Sequence, residues 1–584
     1  MDPIREHCLS APRRATAAIA VLLLALAGAR GGEAAIIRVG AVGDVNCDQN
    51  DIDLAILQAA LNGQDDEIRI ARNQTYTNEY LHLTSFPDVL LLRGGFDNCA
   101  DTTANGRTTL NGRNNQPVVE VDGGTASDVR LQGLTLVTPA AGTTEVVRVE
   151  EAGRLLVDDS DFTGGAAGGL TISGVDAEAS LGFTTSVHGN DGLSGGGIVC
   201  GTGGTLVTAG LVTGNTASFN GGGIFAVESC SITLANGAWV HGNDAGFDGG
   251  GIYLASGADL IAAGGAGVGL RIFDNTAGDQ GGGIFAHMPG TTALLNNAHV
   301  DENLAEVTGG GLFAFDDATI TMDRVSPTAA CIDADRCSTL SLNELVSGTN
   351  GSAAAAAGGG DVLLNQTFVE GNVVPEAELF GSVLHASGAG SQIRTESVQL
   401  FGNTGADAVF ESQLSAFVWA TFTTVARNRW DNGGTPTEAR GFYLSNGGTG
   451  RINSSVFWPT AGQFVGSGGS AFTQVDCLVT SSTVGLPASA TFVSVVDPLY
   501  GNLAAGELSP RPGSPVVDFC DTFRYAPLHN DLRHEARGHD HATNPNGFPG
   551  VTGGLQDVGA YEQHELFADG FESGNTTRWS STSP

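Results

Sequence analysis

The chain contains no lysine: all 26 of its basic residues are arginine, set against 63 Asp and Glu, for a formal net charge of −37. A surface so acidic repels nucleic acid and anionic membranes, so neither is expected as a partner. Charged residues are nonetheless sparse at 15%, and Pro numbers only 19. No C-x-x-C pair occurs, which sets aside zinc-ribbon and thioredoxin-type chemistry. No apolar run beyond the N-terminus is long enough to span a bilayer. What is plentiful is glycine, 86 residues without the period of collagen, in a chain that is 41% hydrophobic and so able to bury a core.

The N-terminus has the pattern of an export signal. Arg13 and Arg14 precede an apolar run from Ala17 to Ala27, and Ala27-Gly28-Ala29 offers a small-residue cleavage site, with Ala34 and Ala35 as alternatives. Residues 1–35 are assigned to it. The mature chain is expected to carry no membrane span and to be secreted or held at a bacterial cell surface. Eight cysteines remain beyond this segment, and an even count in an exported chain points to disulfides. Cys331 and Cys337 are candidates for a local bridge. Cys47–Cys99 and Cys477–Cys520 are candidates to clasp the two ends. Sequence leaves the pairing open.

Glycine runs begin at Gly195, Gly221, Gly249, Gly281 and Gly309, in steps of 26, 28, 32 and 28 residues. An aliphatic residue follows each: Ile198, Ile224, Ile252, Ile284 and Leu312. Upstream lie Asn190, Asn215, Asn243, Asn275 and Asn303, each three residues after Val or Ile. A two-part signature at near-constant period is the mark of a solenoid. Within a period, "IFAVE", "SITLA" and "AWVHG" are strand-length stretches separated by small or polar residues. Three strands per period describe one coil of a three-sided, right-handed parallel β-helix, an all-β fold. Gly triplets would break any helix. Asn215, Asn243, Asn275 and Asn303 are therefore expected to stack in one corner column, amide on amide, as Gly relieves crowding and Asn accepts left-handed backbone.

These paired "[VIL]xxN" and "GGGI" halves resemble the repeats of polymorphic outer-membrane proteins and of exported bacterial pectin-lyase-like β-helix proteins. "CDQNDIDLAILQAALNGQDDEIRIARNQTY" resembles the capping segment of such chains, with a short helix around Leu54–Leu61. "DVGAYE" (Asp557–Glu562) resembles the terminal motif of surface β-helix proteins with a C-terminal anchor region, which implies surface-attachment machinery as a partner. The expected organisation is a small N-terminal cap over 36–105, the β-helix over 106–500, the anchor-type motif region over 501–562 and a tail over 563–584. The stretch 326–357 breaks the repeat and reads as an insertion loop with a short helix at Leu340–Leu345.

No catalytic set emerges. Elimination on an acidic polysaccharide needs a base, and hydrolysis needs two carboxylates about 5–10 Å apart. Asp158-Asp159 with Asp161, and Asp316-Asp317, read as solvated turn carboxylates. His188 and His241 sit in "HGN" just before corner Asn residues. "HEARGH" (His534–His539) spaces its histidines one residue too far for a zinc-protease helix, and with His541 it reads as a loop. "GDVNCDQND" lacks the Gly and the final acid of a calcium loop. No metal and no cofactor is expected. One residue after each inward aliphatic comes Val199, Phe225, Tyr253, Phe285 or Phe313. Strand alternation turns Phe225, Tyr253, Phe285 and Phe313 outward as an aromatic column suited to stacking on sugar rings. Two alternatives stand: reversed register, or packing beneath a flanking loop. The expectation is an exported protein acting by binding, through adhesion or recognition of a polysaccharide or cell-surface glycan. The alternative is a polysaccharide lyase or glycoside hydrolase of the pectin-lyase-like type, favoured if an arginine stands beside several carboxylates on one sheet.

Overall fold

The computed structural model describes residues 35–61, 64–84, 89–123, 128–140, 142–265, 269–325, 336–375, 381–430, 436–459, 464–511, 513–521, 530–537 and 555–563. Residues 1–34 of the expected export signal, Cys331, His539, His541 and the tail beyond Gln563 lie outside these residues. Consecutive repeats pair strand on strand in parallel and build a β-solenoid of about 14 turns. One row of 14 strands runs from Leu81–Thr84 to Phe464–Gly466, and we call it the first row. A second row (for example Thr205–Thr208, Ser231–Leu234, Asp259–Ala263) and a third (Leu211–Thr213, Trp239–His241, Leu270–Phe273) follow it in each coil. A fourth, short row of two-residue strands such as Thr216–Ala217 and Asp244–Ala245 fills the corner before the glycine run.

Inward residues of the first three rows form one continuous core from Ile37 to Leu478. Ile198, Ile224, Ile252, Ile284 and Leu312 are fully buried in it, with Ala226, Ala286 and Ala314 beside them. Each large aliphatic taken from water contributes about 1.5–3 kcal/mol. Coiling starts earlier than the sequence suggested: Ile36–Val39 already pairs with Asp66–Ala71 and this with Leu90–Phe96. The cap proper is the helix Ile52–Ala60. Asp51 caps its N-terminus by accepting from the Leu54 amide, and Ile52, Ala55, Ile56 and Ala59 close the core.

The corner is a ladder of nine amides: Asn190, Asn215, Asn243, Asn275, Asn303, Asn343, Asn372, Asn403 and Asn428. Each Nδ2 donates to the next Oδ1 at 2.7–3.0 Å. Each backbone N–H donates to that same oxygen. The left-handed residue is not the Asn but the one before it, for instance Gly214 (φ 61°), Gly242 (φ 62°) and Asp274 (φ 54°). The glycines divide their work. The first of each run takes positive φ, 67° at Gly221 and 66° at Gly249. The next two have no room: a Cβ on Gly222 would lie 2.5 Å from the Gly250 carbonyl oxygen, and one on Gly223 2.6 Å from that of Gly251.

The expected insertion dissolves from Arg336 onward. Thr339–Ser341 and Glu344–Leu345 are strands where a helix was expected, and Asn350–Ala357 joins the first row. The reason is that Leu340-x-x-Asn343 is another copy of the aliphatic-x-x-Asn half: Leu340 points inward and Asn343 takes its rung. Disulfides join Cys47–Cys99, Cys477–Cys520 and Cys200–Cys230. The last staples two adjacent coils and was not among the candidate pairs. Cys337 is also disulfide-bonded.

Candidate functional site

Phe225, Tyr253, Phe285 and Phe313 point away from the solenoid core, as alternation requires, but they are not the exposed column expected of them. Tyr253, Phe285 and Phe313 are only 8%, 3% and 4% exposed and form a cluster of their own. Their strands are in register, so Phe225, Tyr253 and Phe285 stack at 5.1 and 5.3 Å, Phe313 meets Phe285 edge-on at 5.3 Å, and the rings shield one another. The glycine run then curls alongside: a Cβ on Gly281 would come 2.7 Å from Phe285 Cβ. Phe219 and Phe247 are exposed instead, stacked at 5.7 Å on the arm leading into the glycine runs.

Carboxylates do gather around several arginines, Arg154 with Asp128 and Glu178 among them. Arg148 contacts Glu120, Glu145 and Glu150 on the first row, and Arg107 contacts Asp159 and Asp161. Burial works to lower both guanidinium pKa values, yet hydrogen bonds and charge from these acids outweigh it and raise them. An eliminating base needs the opposite shift. Asp316, at φ 51°, faces the His287 ring at 3.7 Å, and Asp317 shares its turn. Asp44 accepts from the Asn46 amide in the cap loop, and Cys47 and Cys99 beside it are consumed by their disulfide. His534 Nδ1 lies 3.2 Å from Gln366 Nε2.

Chemistry-bearing side chains converge on the outer face of the third row. Around inward Val240, Ile272, Val300 and Leu340, the outward pairs are Trp239/His241, Arg271/Phe273, His299/Asp301 and Thr339/Ser341, each in register with the next. The His241 ring stacks on Phe273 at 4.6 Å and 8°, and Trp239 meets Phe273 edge-on at 5.8 Å. The Arg271 guanidinium lies 4.2 Å from the Phe273 centroid and 3.5 Å from Asp301 Oδ2. Asp301 Oδ1 accepts from Thr339 (2.8 Å) and Ser341 (2.6 Å). Because Thr339 gives its proton to Asp301, its oxygen accepts from His299 Nδ1 at 2.8 Å, which fixes that tautomer. Burial lowers the His241 pKa, with Asp274 acting against it, so the ring is neutral near pH 7. The Trp239 indole N–H is buried without an acceptor among the described residues. The face thus offers aromatic surface, a cation, an anchored carboxylate and one unused donor.

Further along, this row is covered by the C-terminal segment. Tyr561 donates to Gln399 Oε1 (2.7 Å), the Ala560 amide to Thr424 (2.9 Å) and the Gly559 amide to the Ser454 carbonyl (2.8 Å). The "DVGAYE" side chains Asp557, Tyr561 and Glu562 are thereby buried within the chain. At the border a cavity of about 160 Å³ opens between Arg336, Phe368, Glu507, Arg533 and Tyr561. The larger recess, about 650 Å³, is an apolar mouth at the end of the core by Phe464 and Phe472, away from this chemistry.

The sequence reading passed over the third-row face. Its signal lay at the positions flanking each Val or Ile of the aliphatic-x-x-Asn half, in "AWVHGN", "LRIFDN" and "AHVDEN". The chain is a parallel β-solenoid, and that class is what its fold and face define. No protein-family model matches the chain, and no curated protein matches it.

Proposed function

We propose that the protein is exported and acts by binding, recognising a glycan at a surface through the third-row face. The observation that carries this is the assembly of half-buried Trp239, His241, Arg271 and Phe273 with buried His299 and Asp301 on one sheet face, held by their own contacts. Flat aromatic faces take sugar rings, and fixed polar groups beside them read hydroxyls. Three supports join it: the N-terminal export pattern, the disulfides, which persist in oxidising compartments, and the lack, among the described residues, of a helix long and apolar enough to cross a membrane. The C-terminal motif contributes to attachment by completing the fold, leaving the tail to meet any surface machinery. The lyase or hydrolase alternative has less behind it, since the arginines beside carboxylates are held by ion pairs.

The test is a glycan array probed with the purified protein, with product analysis on every polysaccharide retained. Retention of a glycan without unsaturated or reducing-end products, lost in Trp239→Ala and Arg271→Gln variants of unchanged melting temperature, is the expected result. Release of cleaved product, or retention indifferent to both variants, would overturn it.

A further inference from the structure

The outer face of the second row carries a different arrangement. Its outward residues run in register from Leu363 to Arg394, Trp419 and Arg451. The Arg394 guanidinium lies 5.5 Å and that of Arg451 4.3 Å from the Trp419 ring, one coil to either side. Phe417 meets the indole edge-on at 6.2 Å and widens the platform. Amides, not acids, orient these cations. Arg394 Nε donates to Gln392 Oε1 at 3.0 Å. With the Asn453 amide turned so that its oxygen faces them, Arg451 Nε and Trp419 Nε1 donate to it at 2.9 and 3.2 Å. Neither arginine is in an ion pair with a described residue. Asp361, beside Gln392 on the next coil, is an acid within electrostatic reach of Arg394; burial raises its pKa while Gln392 and Arg394 act against it. In a chain of net charge −37, two cations without carboxylate partners flanking an aromatic ring are a departure from the rest of the surface. At physiological ionic strength the distant acids are screened beyond about 8 Å, so an arriving anion feels these guanidiniums first.

We infer that Arg394, Trp419 and Arg451 form a binding subsite for a linear polysaccharide whose anionic groups recur along one edge at every second sugar. The sugar chain runs over the outer edges of Phe417 and the Trp419 indole, and each guanidinium takes one anion in a two-pronged hydrogen bond. Because the indole stands between them, a single anion cannot bridge both arginines. They sit two strand spacings apart, about 9.6 Å, which matches two linked pyranose rings in an extended chain. This inference rests on the proposed binding role but uses a separate face, so variants of the two faces report independently.

The probes are hyaluronan disaccharide and hexasaccharide and the neutral hexasaccharide of cellulose, titrated into the full chain by calorimetry. The hexasaccharide reaches both guanidiniums and is expected to bind at least about tenfold more tightly than the disaccharide. Arg394→Gln, at an exposed position, is expected to bring it down to the disaccharide's level, and Arg394→Gln with Arg451→Gln to abolish binding while Trp239→Ala leaves it intact. Equal affinity for the two fragments, equal affinity for the neutral chain, no binding of the hexasaccharide, or a double variant that binds like the parent would each overturn the inference.

Discussion

Nine neutral amides hold the corner of the coils, while four ionisable groups hold the C-terminal segment together and Arg537 among them ties it to their flank through Ser397. In the ladder every Asn but the last, Asn428, donates to the next rung and to a strand carbonyl, as Asn275 does to Asn303 (2.9 Å) and to the Val240 carbonyl (3.0 Å). Its own Oδ1 accepts both donors of Asn243. Each rung is complete, uncharged and dependent only on its neighbours. The C-terminal clasp is built from Arg537, Glu562, Asp557 and Asp531. The Arg537 and Glu562 side chains are fully buried 3.6 Å apart, and Arg537 Nη2 also holds the Gly559 and Ala560 carbonyls at 2.9 Å. Burial, together with Glu562, raises the Asp557 pKa well above its ordinary value. One system spreads small contributions along the chain, while the other concentrates a large one inside the C-terminal segment. The difference teaches that periodic structure tolerates local loss, whereas a docked appendage depends on one electrostatic joint.

The sharpest way to break this comparison is Arg537→Met. Removing one member of a buried ion pair costs about 3–5 kcal/mol. Amide hydrogen exchange is expected to show residues 530–537 and 555–563 opening while the ladder amides stay protected. Simultaneous loss of both would mean that clasp and ladder unfold as one unit.

A smaller effect is expected from Asn275→Ala, which leaves the Asn243 donors and the Val240 carbonyl without their partner. The cost is about 1–3 kcal/mol, read from denaturant unfolding, with the neighbouring coils perturbed most in hydrogen exchange and the C-terminal segment unchanged. A loss confined to no particular coil would remove the nearest-neighbour picture.

The smallest expected effect concerns a charged rung among neutral ones. Asp248 stands just before its glycine run, where the preceding repeat has Asn220, and donates its backbone amide to that side chain at 3.1 Å. Burial, followed by the charge of Asp279, pushes its pKa up to about 6, partly offset by the Gln280 amide. A carboxyl whose folded pKa is raised stabilises the fold below its unfolded pKa, and that contribution is lost as pH rises through about 6. The melting temperature is therefore expected to fall between pH 5 and 7.5, and Asp248→Asn to flatten that slope. An unaltered slope in the variant would assign it to other groups.

How much of this was legible depended on which contacts are local. "GGGI" and the aliphatic-x-x-Asn half display their period because each coil meets only its neighbours, so identical corners need identical residues. The same logic, applied to Leu340 and Asn343, would have found the coil that was read as an insertion. Strand alternation also gave the outward direction of Phe225, Tyr253, Phe285 and Phe313. It could not give their exposure, because that depends on the glycine arm folding back beside them.

Residue spacing alone specifies the β-solenoid, its inward aliphatics and its Asn and Gly corners, since these follow from sterics and hydrogen bonding repeated at a fixed interval. Which outward side chains meet solvent is set by contacts that form when the coils assemble. Trp239, Arg271 and Asp301 are brought side by side by coils about 30 residues long, and the covering of Gln399 and Thr424 by Tyr561 and Ala560 spans well over a hundred. Neither distance leaves a periodic trace, because a contact made once imposes no repeat on the chain.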